Sequence, residues 1–584
     1  MDSEISLGGN SWHLPTVDDG VSLRMSEMYN ISSTIARILC LRHIGIEDAE
    51  NFLYPKIQNL MPDPCVMKDA AKAAQRIADA VEKKEIIAII GDYDVDGATS
   101  TSILIRFLRH VGIEPLVHIP SREEGYGPSD VAFAEFKENN ASLVLTIDCG
   151  TTAFDVLNRA AADFDIIVID HHEAEAKLPQ VYAVVNPKRL DDDNPYTYLQ
   201  CMSAVGVGFM VLVAVNRILR QRGFYKDINE PDLMSLLDLV ALGTVCDVVP
   251  LVGLNRAYVK QGLKVMSKMQ NLGLKHLMQV LNMQSAPSAY HLGFTIGPRI
   301  NACGRVGDAS LGCKLLCSDN ELEAQMLAEQ FNQFNMERKE IENYVLLEAI
   351  EQVEGNPQEY PMAFAYGENW HQGVIGIVAG KLKERYNMPA FVMSIEPDEV
   401  KGSARSVEGV DLGALIMNAK EKGVITNGGG HVMAAGFSLT TEQIPAFKKF
   451  VGEYVLQHLG DEKIVPTLNI DAVLNLSAIN QKLADDLSLL EPFGTENPEP
   501  LVMLQNVRII YPQAVGVGGH IRCSLQSSMG DKINAIAFRV ADTDIGYTML
   551  NSRGDMFDVV GYVHSDEWQG KKRVQFVIKD LKRK

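Results

Sequence analysis

IIAIIGDYDVDG, residues Ile86 to Gly97, joins a mostly β-branched apolar run to a turn that carries Asp92, Asp94 and Asp96 at alternate positions. The run is too short for an ordinary helix and lacks polar alternation, so it predicts a strand buried on both faces of a parallel sheet. In open α/β sheets ligands collect outside the carboxyl ends of the strands, which is where these acids fall. Like charges this close repel one another unless a cation neutralises them. A metal site is the first expectation, and a solvated acidic turn is the plain alternative.

Two later stretches repeat the arrangement. Leu143 to Ile147 delivers Asp148-Cys149-Gly150, and Ile166 to Ile169 delivers Asp170-His171-His172. Three buried-strand runs each ending in Asp, the last followed by paired histidines, go beyond what capping requires. Oxygen ligands with one or two imidazoles suit Mn²⁺ or Mg²⁺ better than a structural zinc, which recruits thiolates. A bridging carboxylate between two ligand sets is what a two-metal phosphoester hydrolase needs.

Size and composition narrow the class. At 584 residues the chain exceeds a single core, and two to four domains are expected. No apolar run reads as a membrane span, and Met1 to Gly20 lacks a basic-then-apolar signal pattern. Nine cysteines without framework spacing fit a reducing compartment, so the cytoplasm is the expected location. A net charge of -21 argues against a nonspecific polyanion binder. It leaves room for a metal-lined cleft whose local arginines hold phosphates inside an acidic shell.

Taken in order, residues 1–67 form a poorly periodic N-terminal segment with no assigned chemistry. A catalytic domain is expected over 68–318; helix and strand alternate in it through Pro187, the rhythm of a doubly wound sheet, and the apolar helices Val205 to Leu219 and Asp232 to Leu242 follow. The loop Ser121 to Gly127 carries Arg122 and Tyr126, and an ordinary surface loop is its alternative reading. Asp247 stands alone in an apolar stretch, where a lone carboxylate is costly unless paired or metal-bound; an N-cap is the other reading. Gly297 to Asp308 reads as a glycine-bearing loop with Arg299, Asn301 and Arg305, and arginine offers a planar donor fork for phosphate. Ser318 with Glu321 predicts a capping box opening a long helix over 319–355. Its apolar face is marked by Leu322, Met326, Phe331, Phe334, Ile341 and Val345.

A second α/β unit follows over 356–460. Its glycine-rich turns carry Ser403, Arg405 and His431, residue types that suit a phosphate cradle. In 461–584, five strand-like runs divided by Gly, Asp and Ser turns predict a small β-barrel of OB type. Trp568, Lys571, Lys572 and Arg573 interleave an aromatic with cations, a pattern suited to single-stranded nucleic acid. A hairpin with a solvated basic turn is the alternative.

At Asp92 to Gly97 together with Asp170-His171-His172, the sequence resembles the DHH phosphoesterase superfamily. Gly402-Ser403-Ala404-Arg405-Ser406 and Gly428 to His431 resemble its DHHA1 partner domain. The order of these motifs, Gly243 to Pro250, Gly297 to Arg305 and the terminal barrel make the chain most similar to the RecJ exonuclease family, from about residue 30 onward. The resemblance implies two α/β domains joined by a long helix around a cleft, plus the OB-fold-like barrel. It implies a 5′→3′ exonuclease specific for single-stranded DNA, active in recombination and repair, with two Mn²⁺ or Mg²⁺ ions. Asp94, Asp96, Asp148, His171 and Asp247 are the implied metal ligands, and His172 joins them as catalytic.

Asp148 is the best bridge, because its strand should lie centrally. Arg122, Arg299, Asn301, Arg305, Ser403, Arg405 and His431 are the implied substrate contacts. Related phosphoesterases often place a histidine where this chain has Ile90. A single-strand-binding protein and a RecQ-type helicase are the implied partners of a monomer that works away from membranes. Two other readings stay open: a DHH-family phosphodiesterase of oligoribonucleotides or cyclic dinucleotides, and a non-catalytic single-strand-binding relative. Chain length and the barrel argue against the first, and the intact carboxylates and histidines against the second.

Overall fold

Ile87–Ile90 forms a strand buried along its whole length, as its β-branched composition requires. The computed structural model describes residues 5–584 apart from 123, 284, 356–358, 461–464, 517, 553 and 569–570, with side chains left out at 566–568 and 571. Ile87–Ile90 sits between Leu116–His118 and Leu143–Ile147 in a five-stranded sheet. Asp165–Ile169 and Ala183–Val185 complete it, and all strands run parallel. The chain leaves Ile87–Ile90 toward one side of the sheet and returns on the other, so a crevice opens at the carboxyl ends of Ile87–Ile90 and Leu143–Ile147. The helix Val95–His110, rich in small and apolar residues, is buried almost throughout and follows directly from the aspartate turn.

The chain divides into two compact units, one of Met1–Gly304, Ala309–Glu329 and Thr467–Lys584, the other of Arg305–Asp308 and Gln330–Pro466. The second unit is built on a five-stranded sheet in the order Asn427–His431, Ala434–Leu439, Val400–Arg405, Ala390–Ile395, Ala363–Glu368. Only its last pair is parallel. One helix, Glu321–Gly355, contributes to both units. In the first unit, Val502–Val515, His520–Gln526, Lys532–Ala537, Lys571–Arg583 and Met556–Trp568 close into a five-stranded barrel, because the first and last of these also pair. The fold class is α/β with a C-terminal OB-like barrel.

The N-terminal segment belongs to the barrel's core. Met25, Ile35, Ile38, Leu39 and Leu53 share one apolar cluster with Val502, Ile521, Leu525, Phe557 and Phe576. Ser11–His13 also pairs in parallel with Thr467–Asn469.

Several sequence expectations need correction. Gly297–Val306 is a helix, not a loop, and its glycines serve close packing. A Cβ on Gly297 would lie 2.4 Å from the Cys246 sulfur, and one on Gly304 would lie 2.8 Å from the Tyr93 carbonyl. The glycine-rich turns at Ser403, Arg405 and His431 are strands. Gly402 fits beneath the Phe437 ring, and Gly430 against its hairpin partner. The long helix is capped by Asn320, which accepts from Leu322 and Glu323, rather than by Ser318. Phe331 and Val345 are buried on it, but Leu322 and Met326 are exposed. The helix Ala204–Gln221 is long and apolar enough to cross a membrane, yet 72% of it is buried in the fold.

Candidate metal centre

Three strand ends and one helix end place the acidic and imidazole side chains together. Asp94 caps the helix Val95–His110 through the Gly97 amide (3.0 Å), so capping and a ligand's position coincide there. Asp96, in the first turn of the same helix, accepts from the Ala204 and Val205 amides at 2.6 and 3.0 Å. Asp148 follows Leu143–Ile147 with φ +62°. Asp247 stands at the C-terminal end of the helix Leu237–Cys246, so it is no N-cap. These groups form three overlapping sets of converging ligand atoms: Asp148, His171 and His172; Asp96, His171 and Asp247; Asp92, Asp94 and Asp148.

The donor chemistry fits divalent cations. Asp92 Oδ1, Asp148 Oδ1, His171 Nε2 and Asp247 Oδ2 are buried and lack a hydrogen-bond partner among the described residues. Buried polar atoms are otherwise almost always paired. His171 Nδ1 faces the Met202 carbonyl at 3.1 Å. Donation there leaves a lone pair on Nε2, 3.3 Å from Asp148 Oδ1 and 3.9 Å from Asp96 Oδ2. A carbonyl that fixes the tautomer from behind is the usual support of a metal-bound histidine.

Electrostatics point the same way. Burial, reinforced by the neighbouring Asp94 charge, raises the Asp92 and Asp247 carboxyls to about 7. Burial and Asp247 raise Asp96 to about 7. Asp148 is pushed well above the usual range by burial and by Asp96, Asp94 and Asp92. Such a cluster repels itself until positive charge enters. Burial lowers His171. Burial would also lower His172, but its bond to Asp170 prevails and raises it to about 9. Asp170 plays a different part. It accepts from the Thr151, His171 and His172 amides and from His172 Nδ1, so its oxygens are spent on scaffolding.

The expected substrate residues are scattered. Arg122 lies over the Tyr93 ring at 4.2 Å and donates to the Gly304 carbonyl (2.7 Å), which sets it beside the aspartate turn. Arg299 donates to Thr295. Asn301, Lys572 and Arg573 line a cavity of about 2340 Å³ in the first unit. Trp568 and Lys571 have side chains outside the described residues. In the second unit Arg405 reaches Ser403 Oγ (3.2 Å) and the Ala404 carbonyl (2.9 Å). Burial lowers it, and among the described residues no carboxylate pairs with it. Arg305 donates to the Gly373 carbonyl, and His431 is exposed at its strand end.

Comparison with known proteins places the chain. Residues 86–244 match the DHH family, N-terminal domain; 359–457 match the DHHA1 domain; 470–580 match the RecJ OB domain. The single-stranded-DNA-specific exonuclease RecJ of Bacillus subtilis is 32% identical over 97% of this chain and 70% of its own length. The chain belongs to the RecJ family. RecJ of Escherichia coli is also 32% identical, over 87% of this chain and 89% of the relative. The structure of RecJ from Thermus thermophilus in complex with Mn²⁺ matches with a TM-score of 0.81 at 26% identity, covering 98% of this chain and 79% of that one. A Mg²⁺ complex of the same RecJ matches with a TM-score of 0.75.

Sequence reasoning left three sets of residues out of the candidate site of this RecJ-family chain. Asp92 was visible as the first acid of its turn, but only the fold groups it with Asp94 and Asp148. Tyr126 lies against Asp148 and His172. Tyr290 and Phe294, exposed and stacked at 5.1 Å, line the cavity that holds Lys572 and Arg573. Their spacing of four residues announces no more than a helical face.

Proposed function

We propose that this chain hydrolyses single-stranded DNA from the 5′ end toward the 3′ end in recombination and repair, as a metal-dependent exonuclease. The observation that carries the reading is the convergence of unpartnered, buried ligand atoms at the strand ends of a RecJ-family fold. Two divalent ions, Mn²⁺ or Mg²⁺, would supply an activated water and stabilise charge on the phosphodiester. Asp94, Asp96, Asp148, His171 and Asp247 would hold them, with Asp148 shared between the sets and Asp92 added to one. His172, protonated through its bond to Asp170 and partly exposed, is suited to orient the phosphate. Arg122 in the first unit, and Arg305, Ser403 and Arg405 in the second, are each suited to contact substrate phosphate.

Downstream nucleotides would follow the cavity between Tyr290 and Phe294 on one wall and Arg522, Lys572 and Arg573 on the barrel. Aromatic rings beside cations suit a strand whose bases are unpaired. Under the same reading, 68–318, 356–460 and 461–584 act as catalytic, phosphate-binding and strand-binding segments. The enzyme works as a cytoplasmic monomer alongside a single-strand-binding protein and a RecQ-type helicase. The test is one assay with end-labelled single-stranded DNA, duplex DNA and RNA in Mn²⁺, Mg²⁺ or EDTA. Degradation of single-stranded DNA alone, from its 5′ end and only with metal, is expected. Equal cleavage of RNA, or release from the 3′ end first, would overturn the reading.

A further inference from the structure

We infer that Tyr126 is a positioning residue of the metal centre, holding the Asp148 main chain and the His172 ring from one side; the inference rests on the metal-centre reading above. The Tyr126 hydroxyl donates to the Asp148 carbonyl at 2.7 Å and its oxygen lies 3.2 Å from His172 Nδ1. Its ring meets His172 edge-on, with centroids 5.7 Å apart at 71°.

Both neighbours need such a hold. Asp148 has φ +62°, a left-handed conformation that non-glycine residues seldom adopt and that persists only where the surroundings enforce it. Its amide is tied to the Ile169 carbonyl at 3.0 Å. Tyr126 ties the carbonyl on the other side of the same residue, so the peptide is gripped at both ends. A change in this backbone conformation would re-aim the buried carboxylate. His172 spends its Nδ1 proton on Asp170 (2.8 Å), and the Tyr126 oxygen is a second acceptor beside it. The ring is held between Tyr126 and His171, whose centroid is 4.6 Å away.

The tyrosine can do this because its own loop is anchored. Glu124 bonds His118 Nε2 at 3.0 Å, the Glu124 amide bonds Ser121 Oγ at 3.1 Å, and Arg122 reaches Gly304. An ordinary phenol keeps its proton at every working pH, so the hydroxyl is available to donate to the Asp148 carbonyl.

The test is Mn²⁺ titration of the full-length protein, free of DNA, followed by electron paramagnetic resonance, beside kcat, KM and thermal melting. Tyr126→Phe keeps the ring and removes the hydroxyl. It should weaken Mn²⁺ binding about five-fold, the equivalent of about 1 kcal/mol for one lost hydrogen bond. It should lower kcat about ten-fold at saturating metal while KM for single-stranded DNA and the melting temperature stay put. Tyr126→Ala, which also frees His172, should go further in the same direction. Wild-type Mn²⁺ affinity in Tyr126→Phe overturns the inference, and a raised KM with unchanged kcat would make Tyr126 a substrate contact instead. Absence of nuclease activity in a wild-type protein that binds Mn²⁺ defeats the proposed function, while the affinity comparison still decides this point.

Discussion

Asp148 and Asp580 are the same residue type at nearly the same burial, 2% and 0% exposed, and they are treated in opposite ways. Asp580, on the barrel strand Lys571–Arg583, is surrounded by donors. The Gly8 amide, Asn10 Nδ2 and Trp12 Nε1 reach it at 2.8, 2.8 and 3.1 Å, and the Leu581 amide and Ser6 hydroxyl add to them. Asp148 is surrounded by acceptors and by His171, and among the described residues its Oδ1 accepts no hydrogen bond. A buried carboxylate whose lone pairs are met by N–H groups closes a structure. One that faces other carboxylates is stabilised by positive charge. The same contrast separates two cations. Arg256 is buried and donates to the carbonyls of Phe52, Leu489, Glu491 and Pro492, whereas among the described residues Arg405 donates to Ser403 and to its own neighbour's carbonyl alone.

The contrast can be broken most sharply at Asp148. Asp148→Ala should lower hydrolysis by on the order of 10³-fold or more, since a shared ligand serves both ions. The metal-free melting temperature should hold or rise, because one repelling charge is gone. A variant that keeps most of the wild-type rate at saturating Mn²⁺ would remove Asp148 from the centre.

Arg405→Ala comes next. Loss of a desolvated guanidinium–phosphate contact should raise KM by the equivalent of about 2–5 kcal/mol and leave Mn²⁺ affinity unchanged. Substrates with and without a 5′-phosphate give the readout. A variant in which metal binding falls as far as substrate binding would move Arg405 into the metal shell.

Asp580→Ala should act on the other side of the comparison. Stripping the acceptor from several buried donors should cost about 3–4 kcal/mol of stability, visible in urea denaturation, with Mn²⁺ affinity retained. A stability unchanged within error would mean that the N-terminal strap is not sealed through this carboxylate.

The smallest effect belongs to Asp238, buried and raised to about 6 by desolvation. A raised carboxyl favours the protonated fold. Its penalty is therefore absent well below 3.8, grows through the interval between 3.8 and 6, and is complete above it. Asp238→Asn keeps an acceptor for the Leu239 amide (2.7 Å). It should stabilise the protein at pH 7 by about 2–3 kcal/mol and have almost no effect at about pH 3. Equal stabilisation at both pH values would assign the gain to something other than charge burial.

The sequence alone carried the parallel sheet, its acidic strand ends and the terminal barrel, because each is written in local periodicity. An apolar run that breaks at Gly91 and is followed by Asp92, Asp94 and Asp96 announces a buried strand end within twelve residues. Asp148, His171 and Asp247 could be singled out for the same reason, each standing at the edge of an apolar segment. What depends on contacts between distant segments was not legible. The helix at Gly297–Val306 looked like a loop, since its glycines report neighbours, Cys246 and Tyr93, rather than a turn. The segment before residue 67 looked inert, since its helices find their apolar partners in strands more than 400 residues later. Tyr126 differs from any loop tyrosine only through Asp148 and His172. Periodicity fixes which way a side chain points along its own element. Whether a buried acid meets donors, as Asp580 does, or other acids, as Asp148 does, is set by what the tertiary fold brings to the same few ångströms.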